Sequence, residues 1–190
     1  GKQYPIYARK KGSLDAVEEV TLDLNELAKG LKFLSLGSYR ISDDGNLLAY
    51  STDTTGYRQY TLYIKDLRTG ALLPEKIERV DGVMFSTDNK TIFYVTEDSV
   101  TKRRDSFYRH VIGGTGSDLV YREADELYDV GAYRTRDKAF IIVGSESKTT
   151  SEARYLPADK PDAPLKVMVP RKSALEYFPD HRGNLFYIRT

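Results

Sequence analysis

Ile41-Ser-Asp-Asp-Gly-Asn-Leu-Leu-Ala-Tyr-Ser51 joins a strand end to a polar turn and then to a short, unbroken apolar run. The same order returns in Phe85-Ser-Thr-Asp-Asn-Lys-Thr-Ile-Phe-Tyr-Val95, in Tyr133-Arg-Thr-Arg-Asp-Lys-Ala-Phe-Ile-Ile-Val143 and in Phe178-Pro-Asp-His-Arg-Gly-Asn-Leu-Phe-Tyr-Ile188. Asp-Gly between apolar runs is a strong local hairpin signal, because Gly takes the positive φ that a tight turn needs. The apolar anchors Leu48, Ile92, Phe140 and Leu185 fall 44, 48 and 45 residues apart. A period of about 40–50 residues in a β-rich chain is the signature of a four-stranded propeller blade.

Working outward, each unit continues in the same way. Tyr60-Thr-Leu-Tyr-Ile-Lys-Asp-Leu67 leads through the Arg68-Thr-Gly70 turn to Lys76-Ile-Glu-Arg-Val80. Phe107–Ile112 leads through Gly113-Gly114 to Asp118–Arg122, and Ala153–Leu156 leads through a Pro-rich turn to Leu165-Lys-Val-Met-Val169. Upstream, Tyr4–Gly12 and Glu19–Asp23 read as strands, with Pro5 at a strand start. Leu24, Leu27 and Ala28 share one helical face, capped by Asp23 or Asn25 and ended by Gly30. The expected fold is all-β: a partial β-propeller of three to four blades of four antiparallel strands, with one short helix near the N-terminus. Residues 1–37 supply the opening strands and helix, 38–80, 81–126 and 127–173 the blades, and 174–190 the start of a further blade. A propeller closes with 4–8 blades, so the chain reads as a fragment of a larger ring, whose open edges would allow a homodimer.

Composition narrows the function. Hydrophobic residues make up 40% of the 190, enough for a core. Tyr 15 and Phe 7 favour pleated, half-buried strands. Net charge is +1, which argues against a nucleic-acid partner or a polybasic membrane binder. No apolar run reaches the ~18 residues of a membrane span. The lack of a basic-then-apolar leader and of any Cys fits the cytoplasm, and the lack of Cys removes disulfide, thiolate and Cys–metal chemistry.

Catalytic parts are scarce. No Gly-x-Ser-x-Gly elbow is present. Of the two histidines, His110 lies in a strand reading and His181 in the turn Asp180-His-Arg-Gly183. Asp43-Asp-Gly-Asn46 lacks the later ligands of a calcium loop, and Gly113-Gly-Thr-Gly-Ser117 lacks the Lys-Ser/Thr of a phosphate loop, so both read as strand connections. No cofactor and no metal is expected.

Gly1-Lys-Gln-Tyr-Pro-Ile-Tyr-Ala-Arg-Lys-Lys-Gly12, Leu22-Asp-Leu-Asn-Glu-Leu-Ala28, Ser42-Asp-Asp-Gly45, Leu48-Ala-Tyr-Ser-Thr-Asp-Thr-Thr-Gly56, Tyr63-Ile-Lys-Asp-Leu-Arg-Thr-Gly70, Ser147-Lys-Thr-Thr-Ser-Glu152 and Gly183-Asn-Leu-Phe-Tyr-Ile-Arg-Thr190 together resemble the propeller of the oligopeptidase B branch of the prolyl oligopeptidase (S9) family of serine peptidases. That resemblance implies a seven-bladed propeller serving as lid and size filter over an α/β-hydrolase domain that cleaves short peptides after Lys or Arg. It implies no catalytic residue in this chain, since the elbow serine and its partners belong to the other domain. It implies instead charged contacts to that domain or to substrate, for which Asp53, Arg58, Arg103 and Arg104 are the candidates. The alternative is a self-standing interaction scaffold for proteins or peptides.

Overall fold

In the computed structural model, which describes residues 2–190, the repeat unit is a sheet of four antiparallel strands. An opening hairpin precedes the repeats: β1 (Ile6–Lys10) pairs with β2 (Glu18–Asp23). The single-turn helix α1 (Leu24–Leu27) follows, with Asp23 capping it by accepting the Asn25 N–H at 2.8 Å. It stops well short of Gly30, which sits at φ +76. Three four-stranded sheets come next: β3 (Ser35–Ile41) to β6 (Leu72–Ile77), β7 (Val80–Phe85) to β10 (Ser117–Arg122), and β11 (Asp129–Arg134) to β14 (Lys166–Val167). β15 (Phe178–Arg182) and β16 (Leu185–Arg189) form a last hairpin. The sheets do not close into a ring. Gly1 lies outside the described residues. Among those described, no helix is long and apolar enough to cross a membrane.

The repeats coincide at their turns. Ser42, Ser86 and Thr135 each donate a backbone N–H to the carbonyl five residues on, that of Leu47, Thr91 or Phe140, at 2.8–2.9 Å. Asp44, Asp88 and Asp137 each accept the N–H two residues on, and Gly45, Asn89 and Lys138 each take positive φ. Phe140 therefore corresponds to Leu47 and Thr91, and the true counterpart of Leu48 and Ile92 is Ile141. The last hairpin turns differently. Arg182 pairs with Leu185 around the two residues Gly183-Asn184, the shortest loop that joins two strands. His181 therefore lies on β15, not in the turn, and is buried.

Why each unit carries an unbroken apolar run is visible in the packing. The second strand of each sheet, β4 (Leu47–Asp53), β8 (Thr91–Glu97) and β12 (Phe140–Glu146), is covered on both faces. Along β8, Ile92 and Tyr94 join the core against the first sheet, while Phe93 and Val95 join the core against the third. On β12, Ile141 and Val143 face the second sheet and Ile142 faces the last hairpin. The opening hairpin covers the outer face of the first sheet through Leu22 and Leu24, packed on Leu48 and Tyr50. At about 25 cal/mol per Å2 of buried apolar surface, these shared cores are the main stabilising contribution.

The outer strand β14 is shorter than the sequence predicts: Lys166 and Val167 alone pair with β13 (Ser151–Pro157). Beyond them a side chain replaces the strand. The buried Tyr177 hydroxyl accepts the Ala153 N–H at 2.8 Å and donates to the Val169 carbonyl at 2.7 Å. Tyr177→Phe leaves those backbone groups without a partner, so we expect a loss of about 1–3 kcal/mol in urea unfolding. An unchanged midpoint would show that the strand, and not Tyr177, holds this edge.

Candidate interdomain face

β3, β7 and β11 each end their sheet's strand order, and β7 lies between the other two. They line one opening, and its two ends carry different loops. One end carries the 42–46, 86–90 and 135–139 turns. The other carries the 54–60 loop between β4 and β5 (Thr61–Asp66), the 98–103 loop between β8 and β9 (Arg104–Val111), and the 123–128 connection. Asp53, Arg58, Arg103 and Arg104 all sit at this second end.

Their side chains do different work. The Asp53 carboxylate is buried and accepts N–H groups from Thr55 at 2.8 Å and Arg58 at 2.7 Å, with the Thr55 hydroxyl at 2.6 Å. Burial pushes its pKa up, but the bonds from Thr55, Arg58 and Gly56 outweigh that and hold it below the usual carboxylate range. Arg58 takes φ +59 at the end of this bracket and its side chain is exposed. Arg103 turns inward: its guanidinium donates to the carbonyls of Tyr128 at 2.7 Å, Glu123 at 3.1 Å and Asp125 at 3.2 Å. It straps the 98–103 loop to the 123–128 connection. Arg104 stays at the surface between two inner-strand starts, 3.2 Å from Asp81 on β7 and 3.7 Å from Asp129 on β11.

Three apolar residues stand out here, and the sequence reading missed them. Tyr57, Val100 and Leu127 are 80%, 84% and 78% exposed. Each projects from a loop locked by local bonds. Asp98 accepts the Val100 N–H at 2.8 Å, Asp125 accepts the Leu127 N–H at 3.0 Å, and the Thr55 hydroxyl accepts the Tyr57 N–H at 3.1 Å. Such Asx-type brackets fix where the next side chain points. The signal was available in Asp98-Ser-Val100 and Asp125-Glu-Leu127, an Asp two residues before an isolated apolar residue. Between the 54–60 and 98–103 loops, Thr54, Gln59, Glu78 and Lys102 line a cleft of about 390 Å3.

Behind the loops a charged cluster ties the second and third sheets together. The Arg171 guanidinium reaches Glu123 at 2.5 Å and lies 3.7 Å above the Tyr128 ring, while its backbone N–H donates to Glu152 at 2.8 Å. The Tyr121 hydroxyl donates to Glu123 at 2.7 Å. Both histidines are buried and bonded locally. His110 is buried with Nδ1 2.9 Å from the Gly116 carbonyl, and His181 Nδ1 meets Asp137 at 2.6 Å. Among the described residues, no three His, Cys, Asp or Glu side chains converge as a metal site would require.

A family model for the N-terminal β-propeller domain of prolyl oligopeptidase matches residues 1–190. The chain belongs to this family. Dipeptidyl aminopeptidase BI of Pseudoxanthomonas mexicana is 39% identical over all of the chain and 29% of its own length. Protease 2 of Moraxella lacunata is 37% identical over 95% of the chain and 27% of its own length. Oligopeptidase B from Leishmania major superposes with a TM-score of 0.90 at 28% identity, covering 99% of the chain and 28% of that protein. The prolyl oligopeptidase propeller seen here thus spans under a third of these relatives.

Glu123, like Asp43, Asp53 and Asp88, is a carboxylate held below its ordinary range, and it links this cluster's contribution to pH. Burial raises the Glu123 pKa, but bonds from Arg171, Tyr121 and Asp125 outweigh it and bring the group from 4.5 down to about 2. A depressed folded-state pKa means the contribution is fully present above about 4.5 and is lost as pH falls towards 2. We expect Arg171→Gln to flatten the fall in urea midpoint across that window. An identical acid profile in the variant would place the sensitivity elsewhere.

Proposed function

We propose that the chain is the non-catalytic propeller of a serine oligopeptidase, and that its 54–60, 98–103 and 123–128 loops meet an α/β-hydrolase domain of the same parent protein. The observation that carries this reading is the exposure of Tyr57, Val100 and Leu127 on locked loops, with Arg58 and Arg104 beside them. Isolated apolar anchors with a charged rim are what a domain interface presents before it forms. In this reading the propeller admits short peptides and excludes folded ones, and the parent cleaves after Lys or Arg. Asp81 and Asp129 place two carboxylates beside Arg104 at the opening, where a basic substrate would meet them.

The test uses the full-length parent. Tyr57→Ser with Leu127→Ser should lower kcat/KM on short basic peptides by about tenfold, the loss of about 1.4 kcal/mol of interface. It should also speed cleavage of a long or folded substrate relative to a short one. Unchanged constants for both sizes would remove these loops from the interface. Arg104→Glu should change kcat/KM on basic substrates by about 3–10-fold, and no change removes Arg104 from the rim. The same anchors also suit the second reading, a scaffold for a separate protein. A purified parent without peptidase activity would favour that one.

A further inference from the structure

The opposite end of the central opening carries a different set of charged groups. A cleft of about 370 Å3 spans the ends of β3, β7 and β11, lined by Arg40, Arg134, Arg136 and Lys138 against Asp43. Its floor includes Val83, Met84 and Phe85. Asp43 is already shared, with Arg134 at 2.9 Å and Lys138 at 2.7 Å. Arg136 is 94% exposed and touches Asp180 at 3.5 Å. Arg40 donates to the carbonyl of its neighbour Tyr39 and has no carboxylate partner among the described residues. Arg134 and Lys138 share Asp43 and Arg136 meets Asp180, so Arg40 is the cation of this set left without a carboxylate. The three inner strands are also sheet edges, so their outward N–H and C=O groups face the opening without a neighbouring strand.

We propose that this cleft binds the carboxylate end of a short extended peptide. Arg40 and Arg136 take the carboxylate, a geometry that guanidinium groups favour over ammonium. The free edge of an inner strand takes the peptide backbone, as strand addition does elsewhere. A small anion alone would use the charges and leave the edges idle. With Asp81 and Asp129 at the far mouth, the opening then orients a peptide, carboxylate towards Arg40 and amino end towards the 54–60 and 98–103 loops. The assignment does not depend on the peptidase reading, since it concerns binding to this chain alone.

The experiment titrates the full 190-residue chain at low salt with a hexapeptide of uncharged side chains bearing a free C-terminal carboxylate, then with its C-terminal amide, then with inorganic phosphate. Backbone amide shifts are followed. The free acid should bind about tenfold tighter than the amide, with shifts centred on Arg40–Asp43 and Ala132–Lys138. Arg40→Gln with Arg136→Gln should bring the acid to the level of the amide. Should that double variant fail to fold, Arg40→Gln alone should still reduce the preference severalfold, since Arg40 holds no structural carboxylate. Equal binding of acid and amide, binding of neither, or phosphate reproducing the peptide's shifts at the same concentrations would each overturn the proposal.

Discussion

Everything in this fold depends on β4, β8 and β12 having to bury both faces. A lone four-stranded sheet with Ile92 and Tyr94 on one side and Phe93 and Val95 on the other would expose one apolar layer whichever way it lay. Stacking resolves this, because each sheet covers its neighbours and no sheet has a core of its own. The opening hairpin serves as cover for the first sheet. The charged ties, Arg171 to Glu123 and Asp43 to Arg134 and Lys138, lie at the two ends of the stack. They set the relation between sheets that apolar packing has already brought together.

Because the stack is held from within, its ends are free to carry chemistry. Strand ends held by buried cores give the loops fixed roots, and Asp53, Asp98 and Asp125 then fix the loops themselves. An apolar side chain projected from such a loop loses little further freedom when a partner covers it, which makes for a stronger contact than the same residue on a mobile loop.

Much of the fold was legible in the sequence, because its period comes from a physical need that repeats. Every unit must follow a polar turn with a doubly buried strand, and that pattern survives divergence of the individual residues. What escaped was whatever long-range context decides. Val169 belongs to a strand pattern, yet Tyr177 takes its backbone groups. His181 sits among turn residues, yet the two-residue Gly183-Asn184 loop leaves it on β15. The candidate face was half legible. Asp53, Arg58, Arg103 and Arg104 are legible as charged residues, but sequence has no means of separating Arg103, consumed by three carbonyls, from Arg104 at the surface. Tyr57, Val100 and Leu127 are single apolar residues in polar loops, and their meaning lies in being gathered at one end.

The shared turn keeps one shape in three sheets with three different residues at its tightest position. Its left-handed position is held by Gly45 in the first sheet, Asn89 in the second and Lys138 in the third. Only the first is free of strain there; a side chain with a β-carbon at this position costs about 1–2 kcal/mol. Lys138 accepts that strain and, in exchange for glycine's ease, reaches Asp43 across to the first sheet. Asn89 likewise accepts the Asp44 N–H of the neighbouring turn at 3.2 Å. Two corners of the same shape thus act as individual latches, both closing on the 42–46 turn of the first sheet.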